Sequence, residues 1–195
     1  MRGAGGSFGI ATSILFNVYP EPPSVTTFIY NWTLGIEAAT EGLGAYQSFA
    51  ESNLSSYLGA RVDFYKGSAR GNVTFIFKGA WYGQPERFAN VVAPFLDQMP
   101  PQNNVKINNG SYTDSAIFFG NIGSLNISNP QPINNLYAKS LLTPQGDPMS
   151  LVAIGAFIEV LAFEGYDAPI VSILLCVNLE IFLTFHYRIG LLMSI

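Results

Sequence analysis

The residues here that could do chemistry are of two kinds: glycines that bare their backbone to a ligand, and a few polar side chains set among aromatic strands. The densest glycine stretch is Arg2-Gly3-Ala4-Gly5-Gly6-Ser7-Phe8-Gly9-Ile10. Without a Cβ, such a loop can turn sharply and bring N–H groups against a ligand, and loops of this sort often hold phosphate-bearing cofactors. This one leads into the β-branched and aromatic run Phe8 to Tyr19. The dinucleotide fingerprint instead sets its glycines between a strand and a helix N-terminus. With residue 2 opening the loop, little stands ahead of it to complete a cradle, and the chain reads as a piece of something larger. The chain holds one cysteine, Cys176, and one histidine, His186. Residues 1–175 therefore lack the usual means of thiol, imidazole or zinc chemistry, and no disulfide can form within the chain. Asp114 and Glu164 are lone carboxylates on predicted helices. No catalytic residue and no metal site is assigned.

The composition narrows the class. At 195 residues, 49% hydrophobic and only 11% charged, the chain can bury a sizeable core and must clothe its surface with Asn, Ser, Thr, Gly and Tyr. The net charge of −4, with nine scattered basic residues, argues against nucleic acid as a partner. Five sequons, at Asn31, Asn53, Asn72, Asn109 and Asn126, point to a secreted glycoprotein. Met1 is followed by glycines rather than by the charged and apolar regions of a signal peptide, so a leader would belong to an upstream segment.

The elements that must position these residues alternate between two periods. Phe8–Tyr19 and Val25–Leu34 read as strands, separated by Pro20-Glu21-Pro22-Pro23. Gly35–Ser52 has helical spacing, weakened by Gly42 and Gly44. Arg61–Tyr65 and Asn72–Tyr82 form a predicted hairpin through Lys66–Gly71. Pro85–Gln98 is a helix that Pro94 should kink or split. Val105–Ile107 is a short strand, Tyr112–Phe119 a short helix and Leu136–Leu142 a strand. Pro148–Gly165 is the clearest helix, with Ser150 as its N-cap. Paired strands with helices between them predict an α+β fold, an antiparallel β-sheet with helices packed on one face. The apolar tail after Pro169 breaks in composition. Glu180 within it and the short clean run argue against a membrane anchor; a final strand, or sequence outside the native reading frame, remain open for it.

Five segments in series carry a resemblance: the glycine loop, Gly79-Ala80-Trp81-Tyr82-Gly83, Ser111-Tyr112-Thr113-Asp114-Ser115, Tyr137-Ala138-Lys139-Ser140-Leu141, and Pro148-Met149-Ser150. Over residues 2–169 the chain resembles the fungal FAD-linked oxidoreductases of the berberine-bridge-enzyme type, which include glucooligosaccharide oxidase and sit in the vanillyl-alcohol-oxidase superfamily. The resemblance implies a two-domain flavoenzyme. One domain holds FAD through covalent His and Cys links, and an antiparallel α+β domain covers the flavin and binds substrate. It divides the chain into 1–20, the end of the FAD domain; 21–169, the substrate-binding domain; and 170–195, the apolar tail. The family's flavin-linking segment and its C-terminal catalytic tyrosine have no counterpart here.

By the same resemblance, Gly3, Gly5, Gly9 and Ile10 match the loop that runs beside the flavin, as against a plain tight turn. Alternation puts Lys78 with Thr74, Ile76 and Ala80 on one strand face. Sugar oxidases of the family carry an acid just before the corresponding glycine, so lysine departs from their pattern; a solvent-facing lysine is the plainer alternative. Tyr137 and Lys139 share a strand side that in the family faces the substrate cleft, and Lys139 could donate hydrogen bonds to hydroxyls or a carboxylate. Trp81 and Tyr82 could stack on a sugar ring, though such pairs more often lie in the core. The expectation is the substrate-binding part of a secreted FAD-dependent oxidase acting on a sugar or other alcohol with oxygen as acceptor. Alone, the chain would neither retain FAD nor turn over. A non-catalytic glycoprotein or carbohydrate-binding module is the alternative.

Overall fold

The fold is described from a computed structural model, which covers residues 20–120, 147–163 and 173–177. In chain order the elements are β1 (Val25–Gly35), α1 (Ile36–Glu51), β2 (Leu58–Lys66), β3 (Asn72–Trp81), a 3-10 turn at Pro85–Arg87, α2 (Phe88–Leu96), β4 (Asn104–Gly110), α3 (Tyr112–Gly120), α4 (Leu151–Phe163) and β5 (Ile173–Val177). The five strands form one sheet in the order β4-β1-β3-β2-β5, with every pairing antiparallel. This is the α+β architecture the alternating pattern predicts, with α1, α2 and α4 on one face; α3 alone departs from the expected single face.

Register decides what each face carries. Phe28, Tyr30, Trp32 and Leu34 of β1 lie beside Gly79, Phe77, Phe75 and Val73 of β3, and these beside Ala60, Val62, Phe64 and Lys66 of β2. The apolar members of this set are buried, and α1, α2 and α4 close over them through Leu43, Tyr46, Phe49, Phe88, Phe95, Ile154 and Ile158. Aromatic rings fill the layer: Phe77 and Phe95 meet edge-on at 4.7 Å and Phe64 and Phe75 at 4.5 Å. Such offset contacts add to simple burial. The polar ends of the large rings find partners, with Trp32 Nε1 donating to the Pro100 carbonyl at 2.8 Å and Tyr46 OH to that of Ala60 at 3.2 Å. Among the described residues, aromatic side chains build much of the core, and most of these sit on one side of the sheet.

Five details refine the sequence-based picture. The helix expected over 85–98 splits at Arg87–Phe88, where a 3-10 turn gives way to α2, and Pro94 stays inside α2 with its ring exposed. Ser150 caps α4, its Oγ accepting from the Ala153 N–H at 3.2 Å. The β2–β3 turn contains Gly71 at φ 89°, a left-handed conformation that favours glycine. The Gly71 N–H donates to the Ala162 carbonyl at 3.0 Å, which ties the turn to the last turn of α4. α3 stands apart from the other helices. It packs through Tyr112 and Phe119 against Val25, Ala80 and Tyr82, on the sheet face that α1, α2 and α4 leave uncovered. The apolar tail supplies β5, which pairs with β2 from Ala60↔Val177 to Phe64↔Ile173. The predicted strands Phe8–Tyr19 and Leu136–Leu142 lie outside the described residues.

Candidate functional site

The face opposite the aromatic layer carries Val25, Thr27, Ile29, Asn31 and Thr33 of β1 and Asn72, Thr74, Ile76, Lys78 and Ala80 of β3. Arg61, Asp63 and Tyr65 of β2 and Asn104, Lys106 and Asn108 of β4 complete it. α3 covers the Val25 and Ala80 end; over the rest the side chains are half-buried or exposed, apart from Asp63 and Thr27. Three of the chain's nine basic residues share one row across this face. Lys106 lies beside Ile29, Ile29 beside Lys78, and Lys78 beside Arg61.

Asp63 organises the row. Its carboxylate is 3% exposed, with Lys78 Nζ 2.6 Å from Oδ2 and Arg61 Nε 3.3 Å from Oδ1. The first contact is a tight charge-assisted pair. The second is loose: neither Arg61 Nε nor Asp63 Oδ1 makes a hydrogen bond with the described residues. Tyr65 OH makes a long contact, 3.5 Å, with the same Oδ2. Burial, and next the charge of Asp63, push the Tyr65 phenol above its ordinary pKa, against the lowering effect of Arg61. Tyr65 therefore stays protonated at neutral pH, suited to donate a hydrogen bond and not to act as a base.

Lys78 is thus on the face that alternation assigns to it, but it is an ion-paired lysine at the centre of the face rather than a free solvated one. Gly79, next to it, points the other way. A Cβ there would stand 2.2 Å from the Gly59 carbonyl oxygen and 2.8 Å from the Phe28 ring. The glycine is needed because β2 and the aromatic layer close in on it. Trp81 and Tyr82 are core, at 4% and 7% exposure, and Trp81 Nε1 donates to the Gln84 carbonyl at 2.8 Å. The ring left exposed beside them is Tyr57, edge-on to Trp81 at 6.2 Å, on a depression of about 640 Å³ shared with Pro23, Ser55 and Arg87. Gly3, Gly5, Gly9, Ile10, Tyr137 and Lys139 lie outside the described residues. Sequence reading passed over Arg61, Asp63 and Tyr65. The alternation Arg61-x-Asp63-x-Tyr65, set against Lys78 across a short hairpin loop, is the signal that finds them.

The chain has counterparts in known proteins. No family model matches the chain. In sequence it is 28% identical over 144 residues to a carbohydrate oxidase of Microdochium nivale, covering 72% of this chain and 28% of that protein. It is likewise 28% identical over 150 residues to the FAD-linked oxidoreductase dpmaF of Metarhizium anisopliae, covering 74% and 27%. In fold it matches the glucooligosaccharide oxidase of Acremonium strictum with a TM-score of 0.64 and 22% identity, over 80% of this chain and 30% of that one. That oxidase carries a 6-S-cysteinyl, 8α-N1-histidyl FAD. The resemblance read from the motifs is borne out: the chain is similar to fungal FAD-linked oxidoreductases of the berberine-bridge-enzyme and glucooligosaccharide-oxidase type. It spans less than a third of the length of each of the three.

Proposed function

We propose that this chain forms the substrate-binding part of an FAD-dependent oxidase that acts on a sugar, and that the open sheet face is turned toward substrate and flavin. One observation carries the reading. The sheet is sealed by an aromatic layer on one side, while the other side collects Arg61, Asp63, Tyr65, Lys78 and Lys106 with little cover. A solvated sheet face ordinarily keeps its carboxylates in water, whereas this one buries Asp63, 3% exposed, against Lys78 and Arg61, and burying a charge is costly unless it is paired. The similarity to a carbohydrate oxidase and an FAD-linked oxidoreductase supports the same class of reaction.

The residues present suit one half of a flavin site. Among the described residues no glycine-rich turn opens a helix as a pyrophosphate cradle would. What they offer is a partly apolar sheet surface around Ile29 and Ile76, apt to cover a ring system. FAD, when bound, supplies the hydride acceptor, and oxygen takes the electrons onward as hydrogen peroxide. On this chain, Tyr65 and the cations of the row donate hydrogen bonds that orient the polar groups of the substrate, and the proton-abstracting base lies elsewhere. Trp81 and Tyr82 do not stack on sugar; Tyr57 is the ring free to do so.

Secretion is part of the proposal, and it rests on fewer sequons than the sequence offers. Asn53 and Asn109 are exposed, whereas Asn31 and Asn72 are half-buried on the open face, where a glycan would obstruct it. Asn126 lies outside the described residues. The test is to express the longest transcript containing these residues, record its visible spectrum, and assay peroxide release on a panel of mono- and oligosaccharides. Flavin absorbance with sugar-dependent peroxide is expected. A colourless product silent on every sugar overturns the reading.

A further inference from the structure

We propose that the open face selects an acidic oligosaccharide, one carrying uronate carboxylates, over a neutral one. The inference rests on the reading of this face as a sugar site and names the class of sugar. Arg61 and Lys78 are direct cross-strand neighbours. Like charges so placed are destabilising. Asp63, buried between them, offsets one of the two charges, and its tight partner is Lys78 at 2.6 Å. Arg61 is the loosely held cation, its Nε 3.3 Å from Oδ1 without a hydrogen bond and its side chain 29% exposed. Lys106, at the other end of the row, is exposed and has no carboxylate within ion-pair distance among the described residues.

Among the described residues, Asp63 is the only acid on the strand positions of this face, so its three cations leave a surplus of two positive charges there. That surplus stands out on a chain whose net charge is −4. Among the described residues, Glu21 and Asp114 lie at the α3 end of the face, where Glu21 accepts from the Tyr112 N–H and Asp114 from the Ser111 N–H and Oγ. Both are occupied in holding α3. From Arg61 to Lys106 the row crosses three strand spacings, about 14 Å, which is the reach of a short oligosaccharide rather than of one ring. Guanidinium and ammonium groups at both ends of that span suit carboxylates repeated along a chain.

The test compares trigalacturonate with neutral galactotriose on the purified full chain by titration calorimetry. The acidic sugar should bind about tenfold or more tightly at low salt, and its advantage should shrink as salt rises. Arg61→Gln and Lys106→Gln should each lower the acidic-to-neutral ratio, while Arg70→Gln, off this face, should not. Melting temperatures of the three variants control for folding. If the neutral sugar binds as well as the acidic one, or if the Arg61→Gln/Lys106→Gln double variant keeps the preference, the inference falls and the sugar-site reading stands. If neither sugar binds but riboflavin phosphate does, and the double variant loses it, the row serves the cofactor and the inference falls. If nothing binds, both fall.

Discussion

The two faces of this sheet are made from the same strands, residue by alternate residue, yet they obey different rules. On the helix side the rings carried by the strands are buried against one another, and the polar atoms of Trp32 and Tyr46 are bonded to carbonyls. On the open side, charges sit beside like charges and Asp63 is buried to hold them there. The first face is what folding requires. The second departs from that requirement, and it is at such departures that function is sought.

The largest effect should separate the faces outright. Phe77→Ala, which empties the centre of the aromatic layer, should lower unfolding free energy by about 3–5 kcal/mol in a denaturant titration. Ile76→Ala, its neighbour on the open face, should lower it by about 1 kcal/mol. Equal losses would show that the open face is covered after all. Next comes Asp63→Ala, which leaves Arg61 and Lys78 side by side and should remove about 2 kcal/mol, the usual loss for an orphaned buried pair reduced because both cations are partly solvated. Adding Arg61→Gln to that variant should restore part of the loss, since it removes the repulsion. A further drop would mean that Arg61 holds the fold for some other reason.

A finer probe is the Tyr65 phenol. Its folded pKa lies above the ordinary 10.0, so its contribution to stability is complete below pH 10 and fades as pH rises through the folded value. Ultraviolet titration of the wild type against Tyr65→Phe should show one phenol ionising late. Asp63→Asn should bring it earlier but not back to 10.0, because burial is the larger cause. The smallest effect belongs to Asp114, fully exposed at the start of α3, whose carboxylate is held below its ordinary value of 3.8 by the Ser111 N–H and hydroxyl. Its support for α3 is present above that pH and lost as pH falls through the lowered value, so Asp114→Asn should abolish a small acid-side slope in thermal stability.

Much of this fold was legible in the residues. β1, β2 and β3 read as strands because β-branched and aromatic side chains alternate, and that alternation alone put Lys78 opposite Phe75 and Phe77. α1 and α4 read as helices from their apolar stripes. What stayed hidden depended on register. Arg61, Asp63 and Tyr65 are unremarkable until the Lys66–Gly71 turn fixes which residue of β3 each one meets. The side of the sheet that α3 takes was equally closed to inspection, since Tyr112 and Phe119 could pack on either face. Pro94 misled because proline is costly in a helix interior, yet the helix breaks earlier, at Arg87. Trp81 and Tyr82 were open to two readings, and burial decided for the core.

The hydrogen bond from Gly71 to Ala162 joins residues ninety-one positions apart. A chain leaving the ribosome exposes the β2–β3 hairpin, with its three clustered charges, long before α4 exists to clasp its turn. Until residue 163 has emerged, the aromatic side of that hairpin lacks part of its lid as well. A nascent chain stalled short of α4 should therefore engage chaperones, and one released just beyond it should shed them.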